Sequence, residues 1–329
     1  MLRTLLFNHG FLEQRKAPCP VISVGNLAVG GTGKTPMVEH LINITREAGL
    51  FPVVISRGYR RRTRGPLPAT PLSTASDIGD EPLQIYHKYQ GVVPVIVSED
   101  RRKALPFLPE APEGQPMVIL LDDAFQHRYL QRDCNILLTA YQRLYTRDHV
   151  LPFGRLRESR KGARRADIII VTKCPADLST EEAEAIRKEL APLPSQRLFF
   201  SAIEYAELPP EVKTAGHTSL ITGIAHPEPL LEHLAAQGIK VIKHLRYPDH
   251  HRFSAADLAT IRKLQLPALT TEKDAARLPD IPEIYALPIQ THILFNESEN
   301  LNNIILNLIN SHPTQSSPLG GVRGGLIIC

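Results

Sequence analysis

The sequence predicts an α/β fold: a parallel sheet of the phosphate-loop NTPase type sandwiched by helices, followed by a second, smaller α/β lobe. Three observations carry this. A glycine-rich stretch, "VGGTGKTP" (Val29 to Pro36), stands between a β-branched run and a helical pattern. The runs "FPVVISRGY", "VVPVIVSED", "MVILLDDAF", "NILLTA" and "ADIIIVTK" recur between helical patterns, and their continuous apolar character suits strands buried on both faces. A second, smaller strand–helix–strand–helix–strand series then follows.

Taken in order, "PVISVGN" (Pro20 to Asn26) reads as a short buried strand. After the loop, Val38, Leu41, Ile42 and Thr45 recur at helical spacing up to a stop at Gly49. Between them, Ala28, Val29, Gly30, Gly31, Thr32 and Gly33 form a turn whose N–H groups can curl around phosphate oxygens. Lys34 would reach the β- and γ-phosphates, the Thr35 hydroxyl would ligate Mg²⁺, and the helix N-terminus adds partial positive charge. Pro36 falls in the first helical turn, where its missing N–H costs little. The strict eight-residue pattern begins with Gly; here Ala28 holds that position.

Further along, "LSTEEAEAIRKELAPL" opens a helix with a Ser-x-x-Glu box, Ser179 and Glu182. The smaller series comprises "SLITGIAHPEPLLEHLAAQG", "KVIKHLRYPDHHRF", "SAADLATIRKL" and "PALTTEKDAARL". Pro and Glu thicken near residues 205–217, so we expect a phosphate-loop domain over residues 19–212 and a smaller α/β domain over 213–312. The Gly/Ser/Pro-rich tail, 313–329, is expected to be disordered.

With 329 residues there is room for two domains, and no run approaches the roughly 18 apolar residues that span a bilayer. "MLRTLLFNHGFL" is too short for a secretory signal and lacks a small-residue cleavage site. Cys19, Cys134, Cys174 and Cys329 show no paired spacing and fit a reducing cytosol. The net charge is only +4, yet arginines cluster in "SRGYRRRTRG" and "GRLRESRKGARR". A solvated surface, nucleic acid, an anionic membrane or a phosphorylated substrate would each suit them, although aromatic interleaving is sparse and Trp is absent.

Several stretches carry chemistry. "VILLDD" ends a strand in two carboxylates, where a phosphate-loop sheet places its Mg²⁺-holding Asp. Adjacent side chains on a regular strand point to opposite faces, so only one of Asp122 and Asp123 should then face the metal. In "SDIGDEPLQIYHKY", Asp80 opens a helical pattern, as a cap or as a weak base that orients a hydroxyl. "RYPDHHRF" joins Asp249, His250 and His251; without a Cys or third His at ligand spacing a zinc site is rejected, while a His beside Asp80 could orient it. "VTKCPAD" resembles a guanine-reading Asn-Lys-x-Asp, but Thr172 and Pro175 replace its Asn and Asp, which favours ATP.

The ordered set "VISVGNLAVGGTGKTP", "SRGY", "GDEP", "LLDDAFQHR", "LPFGRLRE", "PDHHRF" and "TTEKDAARL" resembles the tetraacyldisaccharide 4′-kinases, from about Leu2 to the low 300s. The resemblance implies two α/β/α lobes joined by a β-stranded linker, and transfer of the γ-phosphate of ATP to the 4′-hydroxyl of a tetraacylated glucosamine disaccharide 1-phosphate, giving lipid IVA. It implies Asp80 as catalytic carboxylate with His250 as its partner, Lys34 and Thr35 on phosphates and Mg²⁺, and Asp122 and Asp123 on the metal side. Arg157 and Glu158 would line the nucleotide–metal site, and Tyr59, Glu81, Arg101, Gln126 and His127 the substrate side. The Arg clusters would meet the substrate 1-phosphate or anionic head groups. The expected setting is the cytoplasmic face of a Gram-negative inner membrane, as a peripheral monomer that does not bind nucleic acid.

Three departures from the family pattern stand out. Ala124 replaces a frequent Gly, the last residues match nothing in the family, and residues 1–18 look like only the end of a longer apolar, basic membrane-seating segment. Two other classes compete. A GTPase-like switch or metallochaperone would need the guanine reader and Cys or His ligands that this sequence lacks. A nucleic-acid ATPase would need aromatic platforms.

Overall fold

The computed structural model describes residues 6, 7 and 10–311; the tail expected to be disordered lies outside them, as do seven of the first nine residues. The apolar runs form β1 (Val21–Asn26), β2 (Phe51–Ser56), the short β3 (Leu67–Pro68), β4 (Val95–Val97), β5 (Met117–Asp122), β6 (Cys134–Ala140), β7 (Ile168–Thr172) and β8 (Arg197–Tyr205). These lie in one sheet of order β8-β7-β6-β1-β5-β2-β4-β3, parallel except where β3 runs against β4. Every residue of β1 is buried, as a central strand covered on both faces requires.

Helix α1 (Lys34–Glu47) covers one face, with Met37, Val38, Leu41 and Ile42 packed on Ile22, Val24 and Leu120. It starts after Gly33, whose φ of 76° belongs to the left-handed region that favours glycine. The short α2 (Ala75–Ile78) carries a reciprocal Thr74–Asp77 capping box and leads through Gly79 into α3 (Asp80–Lys88). Helix α4 (Thr180–Leu190) packs Ala183, Ile186 and Leu190 on the opposite face; Ser179 caps it by accepting from the Glu182 N–H, half of the expected box.

The smaller lobe is an all-parallel sheet of β9 (His217–Thr222), β10 (Lys240–Arg246), β11 (Ala268–Thr271) and β12 (Ile284–Leu287), ordered β10-β9-β11-β12. One core holds Val212 of α5 (Pro210–Ala215) with Leu230 and Leu234 of α6 (Glu228–Ala236); the other is built on Ile261 of α7 (Ala255–Ile261). Directly after β11 comes α8 (Glu272–Ala275), capped by Thr271.

The expected division places everything from 213 to 312 in the smaller domain, and here the structure differs. Strand β13 (Ile289–Ile293) pairs antiparallel with β8 and becomes the ninth strand of the large sheet. Helix α9 (Ser298–Asn310) then buries Leu301, Ile305 and Ile309, at i, i+4 and i+8, in the same core as α1. The chain leaves the large sheet after Tyr205 and re-enters at Ile289, and these two residues are paired neighbours. That antiparallel pair is the β-stranded linker.

One close approach fixes the middle of the large lobe. A Cβ on Gly25 would stand 2.7 Å from Phe125 Cβ and 2.8 Å from its backbone N, and Phe125 is itself 1% exposed. Gly25→Ala should therefore destabilise the chain by on the order of 1–3 kcal/mol through overpacking. Urea unfolding checks this: the midpoint should fall with an unchanged slope.

Candidate active site

The phosphate loop is strapped in place from three sides. Asn26, ending β1, donates from Nδ2 to Thr32 Oγ1 at 2.6 Å, and Thr172, ending β7, donates from Oγ1 to the Thr32 carbonyl at 2.9 Å. The segment "GRLRE" lies along the loop's entry: Val29 N donates to Arg155 O (2.8 Å), Arg157 N to Leu27 O (2.7 Å), and Ala28 pairs with Leu156 as an antiparallel bridge. Ala28 thus has extended partners in place of the tight turn that a glycine would serve. Lys173, next after β7, brings its ammonium over the loop; a methyl on Gly31 would lie 3.7 Å from Nζ.

Beside β1, register sets Val24 against Asp122 at the end of β5. Asp122 is 1% exposed; Ser56, ending β2, donates to its Oδ2 at 2.9 Å, while Oδ1 has no hydrogen-bond partner among the described residues. Burial, reinforced by the charges of Glu81 and Asp123 and opposed by Lys34 and Ser56, pushes the Asp122 carboxyl up to about 7. Asp123 takes φ 46°, so the strand's alternation stops there and both carboxylates feel Lys34. Lys34 Nζ is 3.9 Å from Asp123, and Arg157 Nη1 donates to both its oxygens at 2.9 and 3.0 Å. Burial would raise the Asp123 carboxyl as well, but Lys34, Arg157 and Arg101 outweigh it and hold the group below its ordinary value.

Across the cleft, Asp80 opens α3 and meets His250 of the smaller lobe, Oδ2 to Nδ1 at 2.9 Å. His251 points elsewhere, to Asp257 at 3.0 Å, so the residue facing Asp80 is His250. Arg277 stands 3.8 Å from Asp80 and is anchored on Asp274 at 2.6 Å. Burial acts to raise the Asp80 carboxyl, but the His250 hydrogen bond and the charges of Arg277, His250 and Lys273 outweigh it and hold the group below its ordinary value.

The residues expected on the substrate side divide. Tyr59 is 63% exposed, with its ring 6.5 Å from that of His250, and Glu81 lies within electrostatic reach of Asp122. Arg101, by contrast, is 2% exposed and donates from Nη2 to the carbonyls of Asp122 and Asp123, both at 3.1 Å, which makes it an internal brace of the carboxylate turn. His127 accepts from Arg101 N at 3.3 Å, and burial together with the Arg101 charge lowers it to about 4. Gln126 donates to Asn26 O (2.8 Å) and Glu158 (3.1 Å), and Glu158 pairs with Arg165 at 2.7 Å. No group of three or more His, Cys, Asp and Glu able to hold a metal occurs among the described residues, so any cation here needs oxygens from elsewhere, such as nucleotide phosphates.

Sequence reasoning assigned no role to Ser56, Lys173, Lys273 or Arg277, and read Arg165 only as part of an arginine cluster. Ser56 has a usable signal, a polar residue closing an apolar strand. Lys273 and Arg277 lie inside the quoted "TTEKDAARL", but their spacing does not show which atoms they meet.

A nucleotide switch has no use for a paired carboxylate and imidazole, whereas an enzyme moving phosphate onto a hydroxyl does. The site defines a phosphotransferase of the phosphate-loop class. The model of the tetraacyldisaccharide-1-P 4′-kinase family matches residues 1–310, and the chain belongs to that family. It is 42% identical to the tetraacyldisaccharide 4′-kinase of Bacteroides thetaiotaomicron, over 96% of this chain and 91% of the relative, and 41% identical to that of Flavobacterium johnsoniae, over 94% and 92%. Among solved structures, the "apo" form of LpxK from Aquifex aeolicus in complex with ATP superposes with a TM-score of 0.74 at 31% identity, covering 94% of each chain.

The raised Asp122 carboxyl gives a signed expectation. Between the ordinary carboxylate value near 4 and about 7, the folded chain holds a proton that the unfolded chain has lost, so stability falls as pH rises through that window. Asp122→Asn should be more stable than the parent at pH 8, with the gap closing toward pH 4. Thermal melts of both proteins across that range, without Mg²⁺, measure it.

Proposed function

We propose that this chain transfers the γ-phosphate of ATP to the 4′-hydroxyl of a tetraacylated glucosamine disaccharide 1-phosphate, giving lipid IVA in lipid A biosynthesis. The observation that supports this most directly is the Asp80–His250 contact of 2.9 Å, a carboxylate held by an imidazole and suited to orient a hydroxyl. Loop N–H groups and Lys34 bind the ATP phosphates, and Arg157 stands by to share their charge. Asp80 accepts the hydrogen bond of the acceptor hydroxyl and takes its proton as the oxygen bonds to the γ-phosphorus. Phosphoryl transfer has a loose transition state, so a weak base in the right place suffices.

The donor set fits Mg²⁺. Asp122 and Asp123 with the Thr35 hydroxyl offer oxygen only, and the unpartnered, buried Asp122 Oδ1 is suited to a hard cation. Thr35, Asp122 and Asp123 would hold it, and when bound it would neutralise charge on the β- and γ-phosphates. Glu158, committed to Arg165 and Gln126, would act one layer out.

Arg57, Arg60, Arg62 and Arg64 are exposed, whereas Arg61, Arg157, Arg160 and Arg165 bond to other protein groups. We assign the exposed set to the substrate 1-phosphate and to anionic head groups. No helix among the described residues is long and apolar enough to cross a membrane, and Phe11 is 76% exposed near the chain start. A peripheral position on the cytoplasmic face of the inner membrane follows from this reading.

The decisive assay supplies γ-labelled ATP, Mg²⁺ and the tetraacyl disaccharide 1-phosphate in detergent micelles. Label should enter the lipid and vanish with Lys34→Ala; folded, ATP-binding protein that leaves the lipid unlabelled would sink the proposal. In the same assay Asp80→Asn should lower kcat by about 10²–10⁴-fold, the usual range for a lost acid–base group. Its KM for ATP should stay nearly unchanged; equal losses in both would make Asp80 a structural cap.

A further inference from the structure

We infer that Lys173 is a second phosphate-binding lysine of this site: its ammonium lies over the glycine-rich loop to hold the β-phosphate that ATP and ADP share. This rests on ATP as the donor proposed above, and not on which hydroxyl receives the phosphate.

Lys173 is the part of the guanine-reading pattern that "VTKCPAD" keeps, and the structure gives the replaced positions other work. Thr172 ends β7 and donates from Oγ1 to the Thr32 carbonyl at 2.9 Å, tying the strand to the loop. Pro175 is exposed and offers no side-chain acceptor to a base. Between them Lys173 takes φ 58°, in the left-handed region that is uncommon outside glycine. Its neighbours pin it there: Tyr141 N donates to Thr172 O at 2.9 Å, and Cys174 N donates to Ser201 O at 3.0 Å. From this turn the side chain reaches the loop, with Nζ 3.7 Å from where a Cβ on Gly31 would stand.

The ammonium is short of negative charge. Among the described residues the Lys173 side chain has no hydrogen bond and no ion pair. Burial lowers its pKa from the ordinary lysine value, and the charges of Lys34 and Lys273 lower it further. Those two neighbours are compensated, Lys34 by Asp123 at 3.9 Å and Lys273 by Asp249 at 3.5 Å. A cation drawn out of water without a partner is costly, and in a cleft such a group marks a place that an anion completes. The anion that fits is the phosphate chain. Backbone N–H groups of such a loop cradle the α- and β-phosphates, while the loop's own lysine reaches the β and γ. An ammonium above Gly31 therefore adds its charge where the two sets overlap, at the β-phosphate. That contact outlasts the loss of the γ-phosphate, so Lys173 tightens donor and product alike and leaves the barrier between them unchanged.

The test uses the full chain and Lys173→Met, which keeps the apolar stem and removes the charge. In calorimetric titrations with Mg²⁺, ATP and ADP should each bind about 10–100-fold more weakly to the variant, the scale of one hydrogen bond to a charged group. AMP, measured by displacement, should change by less than about threefold. Lys173→Arg, which still carries charge and donors, should recover most of the affinity. In the labelling assay KM for ATP should rise by the same factor with kcat within about twofold, the mark of binding that ground and transition states share. Without nucleotide, Lys173→Met should melt at or above the parent's midpoint, since the lost charge had no partner. Equal losses for all three nucleotides would move the ammonium to the sugar or base, and a loss for ATP alone would move it to the γ-phosphate. Unchanged affinities, or a lower nucleotide-free midpoint, would make it a structural prop; each of these results overturns the assignment. The titrations need no lipid, so a wrong acceptor fails the labelling assay and leaves them untouched.

Discussion

Two neighbouring carboxylates at the end of the central sheet, one buried and one half-buried, are the constraint around which the rest of this molecule is organised. Removing a carboxylate from water is costly unless charge or hydrogen bonds replace the lost hydration. Asp122, 1% exposed, receives one hydrogen bond, from Ser56, and sits in the field of Glu81 and Asp123. The protein answers with cations placed to different ends. Arg157 takes Asp123 directly, Lys34 stands between the carboxylates and the phosphate loop, and Arg101 ties down the carbonyls of the turn. The two aspartates consequently move in opposite directions from their ordinary carboxyl values, one easily protonated and one firmly ionised.

A second, partly buried charge cluster joins both lobes. Lys88, at the far end of the helix that Asp80 opens, is 2.7 Å from Glu39 of the phosphate-loop helix and 2.8 Å from Glu272 of the smaller lobe. Glu272 is also the residue before Lys273, and its other oxygen accepts from Ile289 N, where the chain re-enters the large sheet. Burial pushes Glu39 up to about 7 against the pull of Lys88, while burial of Lys88 is outweighed by its two carboxylates, which raise it. One ammonium therefore links the phosphate-loop helix, the helix that Asp80 opens and the short helix that carries Lys273.

How far this was legible in the sequence depends on the range of the signal. Strand β1, the loop and α1 are written locally, in a β-branched run, three glycines and a 3.6-residue period, and they form where expected. Strand β8 carries similar apolar residues, "LFF", but no phosphate-loop motif to mark it. The return of β13 and α9 to the large sheet is a matter of pairing partners far apart in the chain, which composition does not encode. In the site, Lys34, Asp80 and His250 stood out by motif, yet the 170 residues between Asp80 and His250 hid their contact from any spacing rule. The arginine clusters misled in part. Arg61 and Arg165 look like solvated basic surface, but their guanidinium groups serve Glu99 and Glu158. Arg101 is a different case: the family resemblance implied a substrate-side place for it, and in the structure it is buried and donates to the carbonyls of Asp122 and Asp123.

The division of labour between the lobes explains why the linker takes the form it does. The large lobe holds the phosphate loop with Lys34, Asp122 and Asp123, and it also carries Asp80; the smaller lobe supplies His250, Lys273 and Arg277. A carboxylate whose partners come from another lobe is oriented only to the accuracy with which the two are joined. Flexible connections would leave the 2.9 Å contact with His250 to chance. Here the outgoing and returning segments are hydrogen-bonded to each other, Tyr205 against Ile289, with Ala206 N donating to Pro288 O at 2.9 Å beyond the last pair. Sliding one strand on the other would break that ladder, so any relative motion that keeps it intact is a rotation about the pair.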